Sequence, residues 1–247
     1  MRALIVTNMY PSPQRPALGS FVADQVAALR RTGQADVEVF AFSPGAYVAG
    51  ARALWARHRR DRFDVVHAHF GLTQWPALAA RARARAVTLH GTDLAHPRSR
   101  PVTLAGLRLS DLVAVVSEPM AAAIPRWAMR GRPAVLPAGV DLTRFGRLDR
   151  AEARRELGLA PEGPYLLFAA DPARPEKRYD RALAVAGDVP LLTLGTVAPE
   201  QVPLWVNAAN AVLAPSEREG FGLAVLEALA CDVPVLATPV GVHPQAL

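Results

Sequence analysis

Two glutamates eight residues apart flank the predicted start of a helix, and both could contact a polar ligand. Glu219 lies on a glycine-containing loop, and Glu227 lies within the apolar run 223–230. Free backbone N–H groups and the helix dipole favour an anion at such a helix start. A helix that is apolar on all sides is normally buried, and a buried carboxylate needs a partner. We therefore expect Glu227 to be buried, and we expect both carboxylates and an anion site to meet in one cleft.

The segments around these glutamates predict a unit of a parallel sheet. Residues 211–214 precede them and residues 233–237 follow them, and both runs are typical of strands. A strand, a loop, a helix and a second strand in this order form the repeating unit of α/β proteins. The same pattern opens the chain, where a strand over 3–6 precedes a long loop and a helix that begins near Ser20.

Histidines end two further predicted strands. Strand 64–69 ends at His69 and strand 86–90 ends at His90, with Asp93 three residues later. Ligands of parallel sheets bind beyond the carboxyl ends of the strands, so these side chains are site candidates. His67 and His69 share one face of their strand, but no third metal ligand has suitable local spacing. We therefore interpret these two histidines as structural or cleft-lining, and we expect no metal site.

The chain contains one lysine, Lys177, among 28 lysine and arginine residues, and its formal net charge is +6. Such a charge suits a phosphate-rich ligand, an anionic membrane or nucleic acid. Because arginines are scattered along the whole chain, the charge alone discriminates little between these partners. Arg174 and Lys177 follow a predicted strand over 165–169. A charged surface loop is the alternative interpretation, which the uniqueness of the lysine weakens.

The run Glu219-Gly220-Phe221-Gly222, followed by Glu227 and Ala228-Leu229-Ala230-Cys231, resembles the donor-site signature of retaining glycosyltransferases of family 4. This resemblance implies an α/β protein with a GT-B-like fold, in which two Rossmann-like domains face each other across a cleft. We expect a Rossmann-like acceptor-side domain over residues 1–160. We expect a partial Rossmann-like nucleotide-sugar donor domain over residues 161–247, incomplete because about four strands are predicted where a full half usually carries about six.

The resemblance also implies roles for the candidate residues. It places His90 and Glu219 against the reacting sugar as catalytic residues, and Asp93 on the acceptor side. The expected donor-binding residues are Gly19, Arg174, Lys177, Phe221, Gly222, Leu223 and Glu227. Arg174 and Lys177 lie closer together than in the commonest form of the family motif, so Arg178 is a rival for the arginine position. For Gly19, a simple turn glycine is the alternative.

Transfer of a sugar from a nucleotide donor leaves a diphosphate whose negative charge must be stabilised. The Asp-x-Asp pair that often holds a metal for this purpose does not occur in the sequence. Arg174, Lys177 and the helix start at Gly222 could instead act as fixed electrostatics. We therefore predict a metal-independent, hexosyltransferase-like enzyme with no cofactor besides its nucleotide-diphosphate sugar. The resemblance implies retention at the anomeric carbon, with a glycan, lipid or small molecule as acceptor in glycan, glycolipid or cell-envelope polysaccharide synthesis.

Two other classes of nucleotide-binding enzyme are not expected, because the sequence lacks their motifs. A nucleotide-dependent oxidoreductase would need Gly-x-Gly-x-x-Gly after the first strand, and a P-loop enzyme would need Gly-Lys-Ser/Thr; neither occurs. Nucleic-acid binding is not expected, because the arginines belong to no known module. The remaining alternative is a non-catalytic fragment that binds a sugar nucleotide or a partner. A partner chain could cover the open sheet edge of the second domain.

No apolar run approaches the roughly 20 residues that cross a bilayer, so we expect a cytoplasmic protein. The predicted helix 47–60 has Val48, Leu54 and Trp55 at helical spacing, and its arginines lie mostly elsewhere. A basic amphipathic helix of this kind could lie peripherally on the inner face of a membrane. A solvated face is the more frequent explanation of the same pattern.

Overall fold

The computed structural model describes residues 1–195 and 197–247. Their internal contacts divide the chain into two units, Met1–Ala138 and Gly139–Leu247. Each unit carries a parallel sheet with helices between successive strands, so both halves are α/β, as the sequence predicts.

The first unit is described over its whole length. Its strands are β1 Arg2–Thr7, β2 Asp36–Ala41, β3 Phe63–His69, β4 Ala82–Leu89, β5 Leu112–Val115 and β6 Ala134–Val135. Its α-helices are α1 Ser20–Arg31, α2 Tyr47–His58, α3 Gln74–Ala77, α4 Thr92–Ala95, α5 Ser99–Gly106 and α6 Glu118–Ala122. The strands form one all-parallel sheet in the order β2-β1-β3-β4-β5-β6.

The central strands of this sheet are apolar runs buried on both faces. The successive residues Leu4, Ile5 and Val6 of β1, whose side chains alternate between the two faces, are all buried. Continuous burial is expected of parallel strands, because the crossover helices cover both faces. Each such side chain stabilises the unit by roughly 1.5–3 kcal/mol.

The strand order of the first unit reverses at β1, whose neighbours are β2 and β3. Ligands of open α/β sheets bind in the crevice beyond the carboxyl ends of the strands at such a point. The loops after β1, β3 and β4 carry Gly19, Phe70 and His90 respectively. The topology therefore predicts that a ligand of this unit would bind at these three loops.

The second unit repeats the pattern over fewer strands. In its described part the strands are β7 Leu166–Phe168, β8 Leu191–Thr193, β9 Ala211–Ala214 and β10 Val235–Ala237. The α-helices there are α7 Arg150–Glu156, α8 Tyr179–Ala186, α9 Val202–Ala208, α10 Leu223–Ala230 and α11 His243–Ala246. The strands form a parallel sheet in the order β10-β9-β7-β8, so the order reverses at β7.

The division between the units falls after Ala138, earlier than the predicted boundary near residue 160. Phe145 is buried in the core of the second unit together with Leu167 and Val206. The Asn207 side chain accepts a hydrogen bond from the backbone N–H of Leu148 and donates one to the carbonyl of Gly146. These contacts hold the segment before α7 in the second unit.

Helix α10 is less buried than its apolar sequence predicts. Val225 and Ala228 are buried, whereas Leu229 is exposed and Glu227 is only partly buried. The helix packs against β9, β10, α9 and α11, and Leu229 stays exposed. The expectation of a fully buried Glu227 is therefore wrong.

Helix α2 buries only part of the face that its apolar spacing suggests, since Leu54 is buried but Val48 and Trp55 are not. The buried residues are Gly50, Leu54 and His58, while Val48 and Trp55 are 68% and 55% exposed. A Cβ atom at position 50 would lie 2.9 Å from the Phe42 ring, so glycine allows this face to approach the sheet closely. The guanidinium of Arg59 lies over the exposed Trp55 ring at 5.6 Å.

Across residues 1–195 and 197–247, none of the helices combines the length and the apolar character required to traverse a bilayer.

Candidate functional site

In the second unit, Lys177 and Glu219 form a close ion pair between the loops that follow β7 and β9. Lys177 Nζ lies 2.6 Å from Glu219 Oε1, and the two side chains are 14% and 12% exposed. Lys177 ends a short 3₁₀ turn over Pro175–Lys177, and Glu219 precedes α10. The two strands are neighbours in the sheet, so their following loops meet beyond its carboxyl edge. The structure thus joins two of the predicted site residues.

A hydrogen-bonded framework fixes this pair. Ser216 Oγ donates to Glu219 Oε1 at 2.7 Å, and the backbone N–H of Glu217 donates to the carbonyl of Glu176 at 2.9 Å. Thr238 Oγ1 donates to the carbonyl of Ser216. The lysine ammonium is therefore held at a defined place rather than being a mobile surface charge.

The start of α10 is shaped by a segment that the sequence reasoning does not identify. Gly222 has φ 104° and precedes the helix, and a Cβ atom there would lie 2.5 Å from Nε2 of His243. The Val242 N–H donates to the Phe221 carbonyl at 2.7 Å, and His243 Nδ1 is 2.8 Å from the Thr238 carbonyl. The buried His243 thus packs directly against the loop that precedes α10. Sequence spacing carries no signal for this contact, because it depends on how the chain returns after β10.

The two arginines considered for the donor site bond other carboxylates of this unit. Arg174 is 54% exposed and bonds its own neighbour Glu176 through Nε at 2.9 Å and Nη2 at 2.6 Å. The rival Arg178 bonds Asp180 at 2.6 Å and lies 3.9 Å from Glu217. Leu223 and Glu227 lie in the first and second turns of α10.

In the first unit, His90 belongs to a row of three imidazoles at the carboxyl ends of β3 and β4. His69 Nδ1 and His90 Nε2 share a hydrogen bond of 3.1 Å, and the two rings stack at 5.3 Å with 15° between their planes. The His67 ring lies 4.3 Å from that of His69, and its Nε2 is 2.7 Å from Thr88 Oγ1. Phe21 of α1 covers His90 from another side at 4.8 Å.

Burial makes all three imidazoles poor bases. Removal from water lowers the pKa of His90 to about 3 and that of His67 to about 4, and it lowers the pKa of His69 well below its usual value. The rings are therefore neutral at pH 7. A neutral imidazole can orient a hydroxyl group by hydrogen bonding, but it brings no positive charge to the site.

Asp93 lies inside the first unit and holds the turn that carries His90. Its side chain is fully buried, and Oδ2 accepts a hydrogen bond from the backbone N–H of His90 at 2.8 Å. Burial raises the pKa of Asp93 to about 6, against the opposing effect of backbone N–H groups that include that of Gly71. The carboxylate has no exposed surface, and it holds the His90 backbone in place. Contact of Asp93 with an acceptor stays a prediction.

Gly19 has a structural reason to be glycine. It precedes α1 with φ 68°, and a Cβ atom there would lie 2.2 Å from the carbonyl oxygen of Met9. The loop after β1 therefore closes on itself at this residue, and the backbone of α1 begins where Phe21 can reach His90. Donor binding by Gly19 stays a prediction.

Within residues 1–195 and 197–247, no three or more histidine, cysteine, aspartate or glutamate side chains are grouped as a metal would require. The sole cysteine, Cys231, is buried, and its thiol contacts the Asn207 side chain.

Family comparisons cover both units. Residues 5–144 match the model described as Glycosyltransferase Family 4, and residues 171–247 match the model described as Glycosyl transferases group 1. A D-inositol 3-phosphate glycosyltransferase of Actinosynnema mirum is 29% identical over 82% of this chain. The match covers 62% of that relative, so the chain spans less than two thirds of the length of this curated protein.

Solved structures show the same fold. The chain is similar to sucrose-phosphate synthase from Thermosynechococcus elongatus with a TM-score of 0.74 and 19% identity, covering 99% of this chain and 83% of that one. It is also similar to Anabaena HepE in complex with UDP and glucose, with a TM-score of 0.67 and 16% identity, covering 98% and 82% of the two chains. Both likenesses support the predicted GT-B fold class, with a sheet of four strands in the described part of the second unit.

Proposed function

The chain belongs to glycosyltransferase family 4, and on that premise we propose that it moves a sugar from a nucleotide-diphosphate sugar to a hydroxyl-bearing acceptor. The observation that carries the proposal is the Lys177–Glu219 pair, which holds the chain's one lysine at the carboxyl edge of the second sheet. A fixed ammonium beside the start of α10 suits a diphosphate, because both present positive charge to it.

Departure of the diphosphate is the step that these groups assist. As the bond between the anomeric carbon and the phosphate oxygen breaks, negative charge grows on the leaving group. Lys177 neutralises part of this charge, and the free N–H groups at the start of α10, after Gly222, add hydrogen bonds. A fixed cation and the N–H groups of α10 in this role make a metal unnecessary, so we propose that departure is metal-independent.

The acceptor hydroxyl then bonds to the anomeric carbon on the face that the diphosphate leaves, which retains the configuration. Its proton passes to the departing phosphate oxygen, so no separate protein base is required. Burial keeps His90 neutral, which suits a hydrogen bond to a sugar or acceptor hydroxyl. Glu219 positions the sugar and holds Lys177 in place.

Turnover of a panel of nucleotide sugars tests this proposal. Hexose donors carrying UDP, GDP or ADP are incubated with the protein and candidate acceptors, with and without a chelator, and the product anomer is read by NMR. We expect transfer or slow donor hydrolysis that survives the chelator, with retained configuration. Chelator-sensitive transfer would refute metal independence, and an inverted product would refute retention.

A non-catalytic sugar-nucleotide-binding module is the second candidate, because the chain spans only 62% of a curated relative. Saturable binding of a nucleotide sugar without any transfer or hydrolysis would favour it over the enzyme.

We also propose that α2 contacts an anionic membrane. The supporting observation is the exposure of Val48 and Trp55 beside Arg59. Sedimentation with anionic vesicles, but not with neutral ones, is the expected result, and Trp55→Ser should reduce it. An acceptor from glycan, glycolipid or cell-envelope synthesis would be consistent with this location.

A further inference from the structure

The first unit contains a cavity of about 530 Å³ that the proposed chemistry does not use. Its apolar walls come from five residues: Tyr47, Phe70, Leu72, Trp75 and Val102. A volume between about 300 and 1,000 Å³ with mainly apolar walls is typical of sites for small organic molecules. The cavity is therefore large enough to receive part of a substrate.

The cavity lies beyond the carboxyl ends of the central strands. Tyr47 begins α2, which follows β2, and Phe70 directly follows β3. Thr92, which also lines the cavity, begins α4 two residues after His90 at the end of β4. A ligand in the cavity would thus lie on the same edge of the sheet as His90, where parallel sheets bind their ligands.

Three polar groups of the lining are already bonded within the protein, while Thr92 and His96 are exposed. The apolar walls offer a ligand mainly ring faces and alkyl groups. Trp75 Nε1 donates to the Val102 carbonyl at 3.2 Å, and Tyr47 Oη accepts from Asn8 Nδ2 at 3.1 Å. Ser99 Oγ donates to the Thr92 carbonyl at 3.3 Å. No lining residue is acidic, and Arg98 supplies the one permanent charge of the lining, from an exposed position.

We infer that this cavity receives an alkyl or aryl group of the acceptor, so that the acceptor is a hydroxyl compound with an apolar part rather than a free polyol phosphate. The identification of the ligand as the acceptor rests on the proposed function, whereas the binding of an apolar group is argued from the cavity alone. Hydroxyls of an inositol phosphate that lie against Phe70, Leu72 and Trp75 would find no partner there, which disfavours a polyol in this apolar part of the cavity.

Alkyl glucosides of increasing chain length test the inference in the full chain. The chain has four tryptophans, so ¹⁵N-labelled tryptophan gives four indole signals, and Trp75→Phe identifies that of Trp75. Methyl, butyl and hexyl glucoside are titrated below the concentrations at which they form micelles. We expect a saturable shift of the Trp75 signal, with affinity rising about threefold to fourfold per added methylene group that becomes buried.

Substitutions inside and outside the cavity distinguish binding in the cavity from nonspecific hydrophobic binding. Trp75→Ala and, on a second wall, Val102→Asp should each weaken hexyl glucoside binding at least tenfold. Both residues are exposed enough for the variants to fold. Trp127→Ala is the matched control, because Trp127 is 64% exposed and does not line the cavity. Its binding constant should equal that of the unmodified chain.

The inference is overturned if the Trp75 signal does not shift, if all four signals shift without saturation, or if affinity is independent of chain length. It is also overturned if D-inositol 3-phosphate shifts the Trp75 signal at lower concentration than hexyl glucoside does. Nucleotide binding without a Trp75 response would refute this inference and leave the proposed transfer standing. A saturable Trp75 response without any nucleotide binding would support the cavity and refute the proposed function.

Discussion

Separating Lys177 from Glu219 should destabilise the second unit measurably. Lys177→Met leaves a carboxylate at 12% exposure without its cation, and Glu219→Gln leaves an ammonium at 14% exposure without its anion. Removal of one partner of a fully buried pair costs about 3–5 kcal/mol. The residual exposure, together with the Ser216 hydroxyl that still donates to position 219, reduces our expectation to about 2 kcal/mol for each single variant.

The double variant Lys177→Met/Glu219→Gln leaves no unpaired charge, so its cost should be well below the sum of the two. We expect a coupling energy of about 1–3 kcal/mol from the double-mutant cycle. Urea unfolding is followed by the fluorescence of Trp205, the one tryptophan in the sequence after residue 138, which reports on the second unit.

A matched cycle on an exposed pair provides the control. Arg174 and Glu176 are also joined at 2.6 Å, but their side chains are 54% and 25% exposed. Arg174→Met and Glu176→Gln should couple by less than about 0.5 kcal/mol, because water screens the pair. Equal coupling in the two cycles would refute the reasoning, since it would show that the Lys177 pair is an ordinary surface contact.

Two further predictions concern the first unit. Because the pKa values of His67 and His90 are depressed in the folded state, the unfolded chain binds protons on these rings at higher pH than the folded chain does. The free energy of unfolding is therefore largest above the unfolded pKa of 6.5 and falls as the pH falls toward 4 and 3. At pH 5 the loss is about 2 kcal/mol per histidine. The raised pKa of Asp93 acts in the opposite direction, since its protonation below pH 6 favours the folded state. The urea midpoint should still fall between pH 7 and pH 5, and this fall should be smaller in His90→Asn because that variant lacks the His90 imidazole. Gly19→Ala should cost about 2–4 kcal/mol, since it combines a positive φ with a close main-chain oxygen. Gly33→Ala, with φ 66° and open space, should cost about 1 kcal/mol, and equal thermal shifts would contradict this account.

The sequence predicts most of the strands and helices, because parallel strands are short apolar runs that the chain repeats between helical segments. Helix α1, for example, begins at Ser20 as the sequence predicts. Lys177 is found through composition, since one lysine among many arginines is informative without any knowledge of the fold.

The errors have physical causes that lie outside local sequence. The buried face of α2 includes Gly50, where the absence of a side chain allows the helix to approach Phe42 closely. Local sequence does not reveal this contact. The place of His243 against Gly222 depends on the path of the chain after β10. The inward direction of the Asp93 carboxylate, toward backbone N–H groups, likewise depends on the turn after His90.

Nucleoside diphosphate binding tests the central claim most directly. Calorimetric titration of UDP, GDP and ADP compares the unmodified chain with Lys177→Met and with Arg155→Met, which also removes one positive charge but from an exposed position on α7. We expect at least one diphosphate to bind, with similar affinity for Arg155→Met and at least tenfold weaker affinity for Lys177→Met. Absence of binding by all three diphosphates, or equal affinities for the two variants, would contradict a donor site built on Lys177 and Glu219.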